Sequence, residues 1–316
     1  REEERERESN DTSINEVWNP IDNTGTPGNM TQHLLKRKRK SNPIKQSADM
    51  ITAIQSWPKD GSIHLKNMCL RYGPGYPLAL KGLTIDIESS SRVAVVGRTG
   101  SGKSSLLRAL LRLTSYSGSV QLGGLELRDI PRKVLRKRIC VVPQDPLVFS
   151  GTVRLNLDPG NEYTDEQLIS VLKKSGLIGT LLSRPSSDLM SSMNDSGIAS
   201  FQSQDEIALK FLSSTLTESG SVLSQGQRQL LSLARALLRQ SPILLIDEAS
   251  SLIDRSVEDQ LIQTLSNHLL LENSLSNSTI LMICHREYGL KSLCNKELRL
   301  HEGRIIHYIS IAKQSS

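Results

Sequence analysis

Gly97-Arg98-Thr99-Gly100-Ser101-Gly102-Lys103-Ser104 is the stretch on which the reading of this chain turns. Its spacing is G-x-x-x-x-G-K-S, the pattern of a phosphate-binding loop. Before it runs Arg92-Val93-Ala94-Val95-Val96, a β-branched run that predicts a buried strand. After it runs Ser105-Leu106-Leu107-Arg108-Ala109-Leu110-Leu111, which has helical composition. Strand, glycine loop and helix together are the context such a loop requires, and a chance glycine-serine turn would lack it. Glycines let backbone N–H groups crowd around phosphate oxygens with no Cβ in the way. The helix start adds partial positive charge at the same point. Lys103 is then placed to reach the β- and γ-phosphates, and the Ser104 hydroxyl to ligate Mg²⁺.

A second apolar run, Ile243-Leu244-Leu245-Ile246, ends in Asp247-Glu248. A buried strand that delivers a carboxylate at its C-terminal end is the expected partner of the loop. Asp247 would hold the Mg²⁺ hydration shell. Glu248, one residue on, points elsewhere and is the candidate general base for an attacking water.

Upstream of that strand, Leu223-Ser224-Gln225-Gly226-Gln227-Arg228-Gln229 immediately precedes a helical pattern over Gln229–Leu238. A Leu-Ser-x-Gly-Gln turn, one helix and then an apolar strand ending in Asp-Glu is the order found in ATP-binding cassette (ABC) ATPases. The chain resembles that family from about Trp57 to its end. The resemblance implies an α/β fold: a P-loop NTPase core with an antiparallel β subdomain and a helical subdomain, about Asp145–Gln240, that carries the signature turn. It implies ATP and Mg²⁺ as ligands, with nucleotide contacts from Gly97 through Ser105. Gln144, in Val142-Pro143-Gln144-Asp145-Pro146, is similar to the family's Q-loop glutamine, which touches Mg²⁺ and senses the membrane domain. His285 is similar to the switch histidine at the γ-phosphate. Ser251-Leu252-Ile253-Asp254 resembles the D-loop. Tyr72 resembles the aromatic that stacks on adenine, with Tyr76 a weaker candidate. Ser224, Gly226 and Gln227 would contact the ATP of a second cassette, head to tail.

Ser56-Trp57-Pro58, Pro143–Thr152 and Asn156-Leu157-Asp158-Pro159 resemble the second cassette of the ABCC, or multidrug-resistance-associated, transporters. In that group the second cassette keeps the catalytic glutamate, as Glu248 does here. Gln225 stands where the family commonly has Gly. The implied activity is ATP hydrolysis that powers a membrane exporter, with another cassette and transmembrane domains as partners, at the cytoplasmic face of a membrane. A regulatory ATP-binding module gating a channel or receptor-like ABC protein stays open beside it. A guanine-specific P-loop protein is excluded, because Asn295-Lys296-Glu297-Leu298 has Leu where a carboxylate must bind the base. A chromosome-type ABC ATPase is excluded by the lack of coiled-coil heptads between the two phosphate motifs.

Composition agrees with one large α/β domain plus polar stretches: aromatic content is only 3%, which predicts an aliphatic core. The net charge of +6 is spread along the chain, so charge alone makes no case for nucleic acid, and none is expected as a partner. Cys69, Cys140, Cys284 and Cys294 show no C-x-x-C spacing, which predicts free thiols in a reducing compartment. No apolar run has the length of a membrane span. The chain begins at Arg1, not Met, and is expected to be a piece of a longer polypeptide.

Residues 1–56 are read as tail or linker, with the basic cluster Lys36-Arg37-Lys38-Arg39-Lys40 as a solvated charge run, in preference to a localisation signal or a contact to anionic lipid. Residues 57–316 are read as the ATPase domain. Strands are predicted at Ser62–Asn67, Gly82–Ile87, Ile139–Val142, Thr279–Ile283 and Arg304–Tyr308. Leu155–Leu182 is predicted mostly helical, and the serine-rich Ser183–Gln204 an inserted, mobile loop.

Overall fold

The computed structural model describes residues 52–183, 203–216, 223–249, 255–271, 275, 277–284 and 289–311. The apolar runs that frame the two phosphate motifs become adjacent parallel strands. These are β3 (Arg92–Val96), β6 (Ile139–Val142), β9 (Ile243–Asp247) and β10 (Thr279–Ile283). With β11 (Lys296–His301) and β12 (Arg304–Ser310) they form a six-stranded sheet, order β12-β11-β3-β10-β9-β6. Along each parallel strand, side chains alternate between two cores. Val93, Val95, Leu245 and Leu281 face one; Ala94, Val96, Leu244, Ile246 and Met282 face the other. Burial on both faces is why these stretches read as continuous apolar runs.

One face is covered by an antiparallel sheet and the helix that follows the glycine loop. The sheet has the order β2-β1-β4-β5, from β1 (Ile63–Arg71), β2 (Leu78–Ile87), β4 (Tyr116–Leu122) and β5 (Leu125–Glu126). The helix is α1 (Lys103–Leu110). Fully buried Trp57 is the first core residue in chain order, and its indole N–H donates to the Leu122 carbonyl at 2.6 Å. The alternation predicted over Ser62–Asn67 breaks at Asn67, which has φ +49° at a register shift, so that Met68, Cys69 and Leu70 are all buried. Such a bulge re-aims the strand. Opposite it, a Cβ on Gly118 would lie 2.2 Å from the Asn67 carbonyl, which is why β4 needs glycine there.

The other face carries helices. A short basic helix, α2 (Arg132–Arg138), feeds β6; then come β7 (Gly151–Thr152), α3 (Val153–Leu157), α4 (Asp165–Lys174), α5 (Leu177–Ser183) and α6 (Gln204–Ser213). They are followed by β8 (Thr215–Leu216), α7 (Gln225–Arg239) and α8 (Arg255–Ser266). The mostly helical stretch Leu155–Leu182 falls into three helices. Pro159 and Gly160 break the pattern, the Asp158 carboxylate accepts from the Tyr163 amide at 2.9 Å, and Thr164 caps α4 with a capping box. The edges of the expected Ser183–Gln204 loop are helical: Ser183 closes α5, and Ser203 caps α6, which starts at Gln204. Residues 184–202, the basic cluster at 36–40 and the D-loop at 251–254 lie outside the described residues. The four cysteines are free and buried. Among the described residues no helix is long and apolar enough to cross a membrane.

Candidate active site

Register brings the predicted motifs to one edge. Ile283 lies opposite both Val95 and Asp247, and Val142 lies opposite Ile246. The residues just past β3, β6, β9 and β10 therefore gather at the carboxyl ends of four neighbouring strands, where ligands bind in open α/β sheets. They are Gly97, Pro143-Gln144, Glu248 and Cys284. His285 follows at once but lies outside the described residues.

The loop is held open by geometry only glycine satisfies at two of its positions. Gly97 has φ +154°, and a Cβ there would meet the Leu300 carbonyl at 2.4 Å. Gly102 has φ +106°, and a Cβ would meet Leu80 at 2.7 Å and the Ala79 carbonyl at 3.0 Å. The β11–β12 turn braces the loop from behind: Gly303 donates to Ser101 at 3.0 Å and accepts from Lys81 at 2.8 Å. Arg98, Thr99 and Gly100 are exposed at the loop's tip, while Ser101 and Gly102 are buried at its base.

The helix after the loop starts without a cap. Gly102 is in the left-handed conformation, no side chain caps the helix and no acid occupies its first turn. Among the described residues the amides of Lys103, Ser104 and Ser105 have no acceptor. Such N–H groups, at the positive end of a helix, form an anion site. The Lys103 ammonium folds over the loop, donating to the carbonyls of Gly97 at 2.8 Å and Arg98 at 3.3 Å. Burial lowers its pKa, and the nearby charges of Glu248 and Asp247 oppose that shift. The cation and both carboxylates thus share one local field. Glu248 has φ +46°, a left-handed turn directly after Asp247 at the end of β9.

The residues fit a Mg²⁺ ion held jointly with substrate phosphates. The donors at hand are hard oxygens, the Ser104 hydroxyl after β3, the Asp247 carboxylate at the end of β9 and the Gln144 amide after β6, beside helix amides that no side chain caps. Among the described residues no group of three His, Cys, Asp or Glu could hold a metal unaided.

Tyr72 is 49% exposed beside α1, with its hydroxyl 2.8 Å from the Ser105 hydroxyl and the Arg108 guanidinium 6.0 Å from its ring centroid. Tyr76 is also exposed but makes no contact with α1 among the described bonds. Gln144 is exposed on a loop that α7 holds in place. Gln229 donates to the Pro143 carbonyl at 3.1 Å. Arg235 donates to the Leu147 and Asn156 carbonyls, both at 2.7 Å, and to the Asn156 side chain. Burial lowers the Arg235 pKa to about 10, with Arg239 adding repulsion. Asn156 in turn ties Phe149 and Thr152. These positioning residues escaped the sequence reading, because their partners are distant in the chain.

The signature turn is built differently. Ser224 caps α7 in a capping box: the Gln227 amide donates to the Ser224 hydroxyl at 3.2 Å, and the Ser224 amide donates to the Gln227 side chain at 2.9 Å. Gln227 is buried, and a Cβ on Gly226 would lie 2.7 Å from Val257 of α8. Gln225 accepts from Arg228.

Comparison with known proteins agrees with this arrangement. Residues 80–251 match the family described as ABC transporter. The chain belongs to the ABC transporter family. This ABC domain is 39% identical over 251 residues to human ATP-binding cassette sub-family C member 2, covering 79% of this chain and 14% of that protein. It is 37% identical over 244 residues to the pleiotropic ABC efflux transporter of multiple drugs YBT1 of Candida glabrata, covering 77% of this chain and 14% of that protein. Its fold is similar to that of a bacterial Atm1-family ABC exporter with ATP bound, with a TM-score of 0.63 and 25% identity, over 79% of this chain and 39% of that one. The chain therefore spans only a small part of the length of these relatives.

Proposed function

We propose that this ABC domain is the ATP-hydrolysing motor of a sub-family C exporter, and corresponds to its second cassette. The observation that carries the reading is the uncapped start of α1 after the glycine loop, with the Asp247 and Glu248 charges close enough to act on Lys103. In this reading Gly97–Ser105 cradle the triphosphate and Lys103 neutralises its β- and γ-oxygens. Ser104, Asp247 and Gln144 hold Mg²⁺, which supplies charge neutralisation on the phosphates when bound. Tyr72 stacks on adenine. Glu248 takes a proton from water as its oxygen attacks the γ-phosphorus and ADP leaves. His285 contacts the γ-phosphate.

The hydroxyl hydrogen of Ser224 is not used by the capping box, in which its oxygen accepts. It remains a donor for the ATP of a second cassette, with Gly226 and Gln227 shaping the turn. That composite arrangement makes closure depend on ATP, and the loop around Gln144 passes the motion to transmembrane domains at the cytoplasmic face of the membrane.

The test is Glu248→Gln, which preserves shape but accepts no proton. Single-turnover hydrolysis, measured with the cognate partner cassette present, falls by roughly two orders of magnitude or more, while MgATP stays bound. Undiminished hydrolysis would remove Glu248 from the role of base.

A further inference from the structure

Ser105 and Tyr72 come from positions 33 residues apart and meet through a hydroxyl pair at 2.8 Å. Tyr72 follows β1, in the antiparallel sheet, whereas Ser105 lies in the first turn of α1, next to Ser104. The two environments differ. Ser105 is 7% exposed and its backbone is fixed by the helix; Tyr72 is 49% exposed, just past the end of β1 and followed by Gly73-Pro74-Gly75. An aromatic ring on such a loop has many orientations open to it. The hydrogen bond removes most of them by pinning the phenol oxygen to the helix. Arg108 lies three residues beyond Ser105, on the same side of α1, and its guanidinium stands 6.0 Å from the Tyr72 centroid.

We infer that Ser105 is a positioning residue for the base: its hydroxyl holds the Tyr72 ring in the stacking orientation and so joins the base platform to the phosphate cradle. The inference rests on the proposed stacking of Tyr72 on adenine. A free ring would have to be ordered each time a base stacks, and that entropy would be lost from affinity. With the ring anchored on α1, a base meets a prepared surface. Ser105 then acts on base recognition through Tyr72, although it sits in the part of the loop expected to serve phosphates.

The experiment compares two probes on the full chain, MgATP and magnesium tripolyphosphate, by calorimetric titration. Tripolyphosphate fills the cradle but has no base to stack. Ser105→Ala and Tyr72→Phe, which each remove one half of the hydroxyl pair and keep the ring, weaken MgATP by about two- to tenfold. Neither changes tripolyphosphate affinity, because Ser105 serves the phosphates through its backbone amide, which Ser105→Ala keeps, and the double variant is no weaker than either single one. Equal weakening of both probes by Ser105→Ala would overturn the inference, because the serine would then act on phosphates. So would additive effects of the two substitutions, or no change in the ratio of the two affinities. Tyr72→Ala separates the inference from its premise. If it leaves the ratio unchanged, stacking itself fails; if it lowers MgATP selectively while Ser105→Ala does not, stacking stands and the positioning role falls.

Discussion

Two helices in this molecule begin at glycine-bearing turns, and they begin in opposite ways. At α1, Gly102 leaves the first amides without any acceptor. At α7, Ser224 and Gln227 satisfy each other in a reciprocal capping box. Neither first turn contains an acid. Helix termini demand partners for their orphan groups; at α7 a side chain supplies one to the Gln227 amide, and at α1 no side chain supplies any. In the proposed reading, the start of α1 is completed by something outside the fold, an anion. The start of α7 has its Ser224 and Gln227 amides already paired and offers a donor hydroxyl as an addition.

The sharpest way to break this contrast is to remove the cation of the open end. Lys103→Ala lowers MgATP affinity by about 10- to 100-fold, the range of a charge-assisted contact, as measured by titration. Equal affinity would mean that the loop is not the phosphate site. Next in size is Gly102→Ala. The substitution places a Cβ against Leu80 and the Ala79 carbonyl at a left-handed residue, and costs about 1–3 kcal/mol in denaturant unfolding. Full stability would show that the crowding at the base of the loop relaxes freely. The smallest effect belongs to the closed end. Ser224→Ala removes a helix cap and costs roughly 1 kcal/mol, with MgATP affinity of the isolated chain unchanged. A loss of that affinity would place Ser224 in the wrong site.

The open end was legible in the sequence because its parts are contiguous. Eight residues carry the loop, and β-branched and leucine-rich runs flank it. The strand ending in Asp247-Glu248 was legible for the same reason. β4 and β11 were not predicted. Tyr116–Leu122 and Lys296–His301 are polar in composition, and they become strands because β1 and β3 supply their pairing partners. Glu297 shows how pairing changes a residue. Burial would raise its pKa, yet Lys291, Arg299 and His307 gather on the carboxyl and hold it at about 2. Asn295-Lys296-Glu297-Leu298, which resembles part of a guanine motif, is the entrance to β11, with Leu298 fully buried. The brace of the Gln144 loop was illegible because Arg235 lies 79 residues from Asn156. The pairing of Tyr72 with Ser105 was illegible because nothing local marks it.

The central claim is that the start of α1 takes the anion bound by this chain alone, whereas the start of α7 does not. It is tested most directly by following backbone amides of the isotope-labelled, monomeric chain as MgATP is added. The account predicts that the amide resonances of Lys103, Ser104 and Ser105 shift and become protected from hydrogen exchange, while those of Gly226 and Gln227 stay where they are. Equal perturbation of both helix starts, or none at Lys103–Ser105, would contradict it.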